Sequence, residues 1–223
     1  MGLTRDVVIW RDDFLRAQSF TTTPGENGWT IKDTSAAGTP TYLCVSDDAG
    51  AAKLTCEATS EAQIVTLFHN DVLAFRLDQL LYVEWNVLVA GIDAVTTLVW
   101  GVADEQNNTS DTVQFNFWFR MEGSVSTTNI VVETDDDVTN NDDKATGKTL
   151  AAAYKRCCMD FSYGLTDIRF FIDGSRVASG TTFSANASPS QRVQPYIQLQ
   201  KASGTGVPSI TADYVEIAHR LAA

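Results

Sequence analysis

Asp111–Met121 reads DTVQFNFWFRM. On an extended chain Val113, Phe115, Phe117, Phe119 and Met121 fall on one side, and Gln114, Asn116, Trp118 and Arg120 fall on the other. Alternation with period two marks a strand with one buried face. A slip of one residue would carry the three phenylalanines into water, so the register is strongly specified. Gln79–Ala90, QLLYVEWNVLVA, repeats the pattern. Leu81, Val83, Trp85, Val87 and Val89 form its inward set, opposed by Tyr82, Glu84 and Asn86. Strands of this length suit a large two-sheet sandwich.

Working outward, shorter strand signals fill the chain: Trp29–Asp33, Thr41–Ser46, Ala52–Glu57, Gln63–His69, Thr96–Ala103, Asn129–Glu133, Cys158–Ser162, Asp167–Ile172, Arg176–Ser179, Val193–Gln200 and Ile210–Ala218. Asp47-Asp48-Ala49-Gly50 is expected to link a hairpin. Asp173-Gly174, between FFI and RVAS, is a strong two-residue hairpin signal. Only Asp71–Leu77 and Thr149–Lys155 suit short helical turns. The polar stretches Thr21–Asn27, Asp104–Ser110, Thr134–Lys148 and Ser184–Gln191 read as loops. No boundary divides the 223 residues, which read as one all-β, two-sheet antiparallel jelly-roll domain, with residues 1–9 as an extended N-terminal arm.

The formal net charge of −12 argues against binding nucleic acid, which needs clustered Lys and Arg. No run reaches the roughly 18 apolar residues of a membrane span. Met1–Trp10 carries Arg5 and Asp6 and no apolar stretch, so synthesis and folding in a cytoplasm are expected. The four cysteines, Cys44, Cys56, Cys157 and Cys158, show neither disulfide nor zinc spacing.

Three segments carry a resemblance. ITADYVEIAHR, from Ile210, resembles the closing strand of concanavalin A-like lectin and glucanase domains. FFIDGSRVASG resembles the strand–turn–strand hairpin of laminin-G-like members of that fold, and RDDF resembles its opening strand beside the last one. Residues 61–217 are also similar to tailed-bacteriophage virion proteins with concanavalin A-like jelly rolls, most specifically in QPYIQLQKASGTG. That resemblance implies a capsid decoration (cement) protein or another non-enzymatic virion component, bound to the major capsid protein and self-associating on the particle, with no cofactor. Carbohydrate binding by a lectin-like, receptor-binding module is the alternative, and a glycosidase of the same fold is the third.

Glycosidases of this fold need paired carboxylates, one as nucleophile and one as acid/base. The E-x-D-x-x-E strand motif is absent; Gln114 and Asn116 stand where acids would be needed, and Glu84 is alone on its strand. The chain is therefore expected not to be an enzyme. Neither His69 nor His219 has a partner at metal-ligand spacing. The acidic run from Glu133 to Asp143 could hold calcium but lacks the EF-hand order. Tyr82, Gln114, Asn116 and Trp118 are expected to share one outward face for carbohydrate or protein contact, while Trp10, Trp29, Trp85 and Trp100 belong to the core.

Overall fold

A computed structural model describes residues 7–15, 20–46, 50–186, 188 and 191–221. The strands are β1 (Val7–Asp12), β2 (Thr30–Asp33), β3 (Thr41–Val45), β4 (Ala51–Thr55), β5 (Gln63–Phe68), β6 (Phe75–Arg76), β7 (Leu80–Ala90) and β8 (Thr96–Ala103). They continue with β9 (Phe115–Glu122), β10 (Asn129–Asp136), β11 (Asn141–Thr149), β12 (Lys155–Asp160), β13 (Arg169–Ile172), β14 (Ser175–Val177), β15 (Arg192–Lys201) and β16 (Ser209–Arg220). Helical structure among the described residues is confined to short 3-10 turns.

The strands form two antiparallel sheets. The first has the order β14-β13-β12-β7-β16-β4-β3, with β1 beside β16. The second has the order β11-β10-β9-β8-β15-β5-β2, with β6 beside β15. Their inner faces share one core. Val83, Trp85, Val87, Ile210, Val215 and Ile217 come from the first sheet, and Trp100, Phe117, Phe119, Met121, Ile197 and Leu199 from the second. Trp85 Nε1 donates to Gly101 O at 3.2 Å and so ties the two layers together. Burying a ring of this size is worth about 2–3 kcal/mol at the usual area coefficient.

Most strand expectations hold within a residue or two, and the exceptions have physical causes. β9 starts at Phe115, because Ser110–Thr112 forms a 3-10 turn. Val113 therefore joins Trp118, not the three phenylalanines, in a second apolar cluster. Leu81 turns outward because the β7–β16 pairing shifts register between Ala218 and His219. The polar stretch from Thr134 to Lys148 is largely strand: β10 runs to Asp136 and β11 spans Asn141–Thr149. β11 is an edge strand with little buried surface, so it carries no apolar alternation to read. Asp71–Leu77 holds the short β6 where a helical turn was expected, and the 3-10 turn begins only at Leu77.

The β13–β14 hairpin turns through Asp173 (φ 50°) and Gly174 (φ 74°), the left-handed pair that a two-residue type I′ turn requires. β3 and β4 pair as the expected hairpin, although Asp47, Asp48 and Ala49 lie outside the described residues. β1 begins at Val7, so the expected N-terminal arm is strand over residues 7–9, and residues 1–6 lie outside the description. β1 pairs with the closing strand as the RDDF resemblance implied, in the register Val7↔Arg220 to Asp12↔Val215.

Candidate functional site

The four residues expected on one face lie on two sheets. Tyr82 is on the outer side of the first sheet, while Asn116 and Trp118 belong to β9 of the second and Gln114 precedes that strand. Gln114 is exposed, but Asn116 and Trp118 are buried at 1% and 0% exposure. The cover is the segment 104–114. Asn107 O accepts from Gln198 Nε2 at 2.5 Å and from the Tyr196 hydroxyl at 3.3 Å, and Gln106 N donates to Asp71 Oδ1 at 2.9 Å. Under this cover Trp118 stacks on Tyr196 with ring centroids 5.9 Å apart. Gly101 makes this packing feasible: a Cβ there would lie 2.2 Å from Phe117 O and 2.8 Å from Trp118 Cβ. The outer face of the second sheet is thus sealed around these aromatics.

Beside Trp118 the same sheet carries a buried charge cluster. Arg120 bonds Glu133 at 2.6 Å, Asp111 at 2.5 Å and Glu122 at 2.9 Å. Burial pushes the Glu133 carboxyl up to about 7, with Arg120 opposing the rise. Within the acidic run, the Asp136 carboxylate is taken up by backbone donors, Val138 N at 3.0 Å, Thr139 N at 2.5 Å and Asn186 N at 2.5 Å. Among the described residues no group of three or more His, Cys, Asp or Glu is placed to hold a metal ion.

The outer face of the first sheet is open. A depression of about 500 Å³ lies over β7, β12, β16 and β1, lined by Tyr82, Glu84, Asp160, Phe171 and Glu216 with Ile9 at its apolar side. Its polar floor follows from strand register. Glu84 on β7 is the pairing partner of Glu216 on β16. The Tyr82 hydroxyl donates to Glu216 Oε1, and the Tyr214 hydroxyl donates to Glu84 Oε1 at 2.6 Å. Arg11 on β1 bonds Glu216 at 3.1 Å, and its guanidinium lies 4.0 Å from the Tyr214 ring centroid. Burial, helped by the bond to Glu216, pushes the Tyr82 phenol up to about 12. Burial and the bond to Glu84 raise Tyr214 as well. Both phenols are therefore neutral donors near pH 7.

Glu84 is not alone in space, because the closing strand supplies its partner. The signal lay in the alternation of Tyr214 and Glu216 with Val215 and Ile217, but only a strand pairing could place that face beside β7. Directly opposed residues hold their Cβ atoms about 4.5–5.5 Å apart. Two carboxylates at such spacing, with donors and a cation beside them, can hydrogen-bond the hydroxyls of a polar ligand or divide acid and nucleophile roles between them.

No family model and no curated protein matches the sequence. Solved structures do match. A glycoside hydrolase family 16 endo-glucanase from Bacteroides ovatus superposes with a TM-score of 0.64 at 11% identity, over 93% of this chain and 99% of that one. The carbohydrate recognition domain of Emp47p superposes at 0.59 and 9% identity, over 98% and 96% of the two chains. A conserved carbohydrate esterase from the Shiga toxin-encoding bacteriophage phi24B superposes at 0.50 and 14% identity, over 92% and 100%. The chain therefore has the all-β, two-sheet antiparallel jelly roll of concanavalin A-like proteins. The expectation that it is not an enzyme is corrected by the same likeness, since a glycoside hydrolase shares the fold over nearly its whole length. That expectation also leaned on the isolation of Glu84, which the pairing with Glu216 removes.

Proposed function

We propose that this chain is a carbohydrate-recognition domain whose ligand lies on the outer face of the first sheet. The reciprocal pair Glu84–Tyr214 and Glu216–Tyr82, on the floor of an open depression, carries this reading. Sugar hydroxyls need both acceptors and donors, and carboxylates beside neutral phenols supply both. Val7, Ile9 and Phe171 offer apolar surface for the C–H side of a sugar ring. The named activities of the matched endo-glucanase and recognition domain support this ligand class. Hydrolysis at the same carboxylate pair is the reactive form of this function. The directly opposed register is compatible with the roughly 5–5.5 Å carboxyl separation of retaining glycosidases.

A glycan array with the wild type and with Glu84→Gln tests this, together with an assay for new reducing ends on bound polysaccharides. Binding that weakens in Glu84→Gln supports recognition, and reducing ends that vanish with it support hydrolysis. A wild type that binds no saccharide across a broad array overturns the proposal.

A second reading, decoration of a bacteriophage capsid, is favoured by the free edge of β1. Among the described residues β1 pairs only with β16, and Val7, Val8 and Ile9 are 42%, 37% and 58% exposed. An apolar edge strand of this kind invites pairing with another chain, here the major capsid protein or a second copy. The resemblance read in the sequence over residues 61–217 points to the same setting. Mass spectrometry and electron cryo-microscopy of native particles test it. Stoichiometric protein on the head surface supports it, and absence from purified particles, or heads equally resistant to heat without it, overturns it.

A further inference from the structure

The floor of the open depression on the first sheet carries more negative charge than its neighbours neutralise. Its polar lining is Tyr82, Glu84, Cys158, Asp160, Ser162 and Glu216, and among the described residues no Lys, Arg or His lines it. Strand register gathers the three carboxylates. Glu84 pairs with Glu216 on one side and with Cys158 on the other, and Asp160 follows Cys158 by two residues on β12. Asp160 is thus the diagonal neighbour of Glu84, a relation that spans about 7–8 Å between antiparallel strands. The Cys158 thiol registers the field. Burial pushes it up to about 12, and Glu84, Asp160 and Glu216 all add to the rise.

The cations around this face are engaged. Arg11, at the edge, bonds Glu216 Oε2 at 3.1 Å and Asp13 at 2.5 Å. Arg169 is the pairing partner of Asp160, yet it bonds Asp167 at 2.5 Å and lies 3.4 Å from the Tyr163 ring centroid. Arg176 stands 3.9 Å from the same Asp167. Arg156 is in the next row, opposite Asn86, and reaches towards Gly174; it opposes the rise at Cys158 without cancelling it. On the carboxylates, Glu84 Oε1 accepts from Tyr214, the two oxygens of Glu216 accept from Tyr82 and Arg11, and Asp160 Oδ1 accepts from Ser162 N at 2.8 Å. Among the described residues nothing bonds Glu84 Oε2 or Asp160 Oδ2. Both side chains are half-buried, so a ligand in the depression can reach them.

This arrangement discriminates among saccharides. A uronate or sulfated sugar brings a second negative charge to a floor that already has too much. A neutral sugar offers hydroxyl donors and leaves the charge uncompensated. A protonated amine supplies both the donors and the missing positive charge, and hydrogen bonds between charged groups are the stronger kind. Ile9, Leu81 and Phe171 remain as apolar surface for the C–H side of the ring. Resting on the reading of this face as a saccharide site, we propose that its ligand is an amino sugar with a free, protonated amine, which bonds the open oxygens of Glu84 and Asp160.

Calorimetric titration of the full chain at pH 6 with three β-1,4-linked tetramers of one backbone, those of glucosamine, glucose and glucuronate, tests this. The glucosamine tetramer should bind about tenfold tighter than the glucose tetramer, the scale of a charged hydrogen bond partly screened by solvent. The glucuronate tetramer should bind weakest. Asp160→Asn keeps an oxygen for Ser162 N and should bring the glucosamine-to-glucose ratio below about threefold. Glu61→Gln removes one exposed charge before β5 of the other sheet and should leave the ratio unchanged. An equal fall in both variants would assign the preference to the net charge of −12 and overturn the proposal. Glucosamine binding no tighter than glucose, or no tetramer binding while a glycan array shows another saccharide bound, overturns it and leaves the saccharide reading standing. No saccharide bound at all overturns both.

Discussion

Glu84 and Glu216 stand opposite one another across β7 and β16, and each accepts a hydrogen bond from a tyrosine on the other's strand. Like charges in that position repel. The two hydroxyls and Arg11 offset the repulsion, so the floor of the open face is electrostatically poised. Tyr82→Phe combined with Tyr214→Phe should lower stability at pH 7 by about 1–3 kcal/mol, as expected for bonds to charged acceptors. With Glu84 and Glu216 both replaced by Gln, much of that loss should disappear, because the acceptors are then neutral. Urea unfolding in the two backgrounds measures the difference, and an equal loss in both would refute the charge-based account.

The same phenols should mark the alkaline limit. The folded-state pKa of Tyr82 is raised from its ordinary 10.0 to about 12. Its contribution is therefore complete below pH 10 and is lost as pH rises towards 12. Absorbance titration near 295 nm should show Tyr82 ionising late in wild type, and the late component should be smaller by one phenol in Tyr82→Phe. Unchanged titration curves in the variant would show that Tyr82 is not the late group.

Trp118 is fully buried and stacked on Tyr196. Trp118→Ala should cost about 3–5 kcal/mol, the range for removing a large aromatic from a packed interior. Saccharide binding by the fraction that remains folded should be unchanged, because the open face belongs to the other sheet. Urea midpoints and affinity measured well below the transition separate the two effects. A binding loss without a stability loss would place the saccharide on the second sheet.

Alternation in β7 and β9 revealed the sandwich because each strand has one face in the shared core. The period of two stays readable even where a turn delays the start of β9. The candidate site was less legible for a related reason. Whether the polar side of a strand meets solvent depends on what covers it, and alternation does not report that. Trp118 and Tyr82 look alike in sequence, each a large ring on the polar side of a strand. Segment 104–114 seals the first, and the second stays half-open. Glu216 and Arg11 reach Glu84 and Tyr214 only through the pairings of β16 with β7 and β1, contacts 205 residues apart in the case of Arg11 and Glu216. Lys201 is a further case. Its lysine sits in the QLQKASGTG run and reads as a surface charge, yet its Nζ is buried and bonded to the carbonyls of Glu57, Thr59 and Gly206.

Arg120 and Glu133 should respond oppositely to substitution. The Glu133 carboxyl is raised from 4.5 to about 7 by burial. The folded state thus holds a proton that the unfolded state releases, and this contribution weakens as pH rises from 4.5 to 7. Glu133→Gln should therefore gain stability relative to wild type as pH is raised through that window. Arg120→Met leaves Glu133 buried without its cation and should cost about 3–5 kcal/mol at pH 8. Denaturant unfolding of both variants at pH 4.5 and pH 8 checks this. A Glu133→Gln variant that loses ground with rising pH would reverse the assignment.

His69 should set part of the acid limit of the fold. Its folded-state pKa is lowered from 6.5 to about 4, chiefly because burial disfavours the imidazolium. The unfolded chain binds a proton between those values and the folded chain does not. Stability from this group is therefore present above pH 6.5 and is lost as pH falls towards 4. The full swing is on the order of 3 kcal/mol, taking about 1.4 kcal/mol per pKa unit. Carboxylates titrate in the same region, so the informative quantity is a difference between proteins. Wild type should lose more stability than His69→Phe between pH 7 and pH 4, by an amount of that order. Asp12, the charge that opposes the shift, is held by Trp29 Nε1 and Asn27 Nδ2, and those bonds do not involve His69. The variant should therefore keep the Asp12 anchor and flatten only the histidine part of the curve. Parallel pH profiles for the two proteins would mean that the His69 ring is already hydrated or paired in solution.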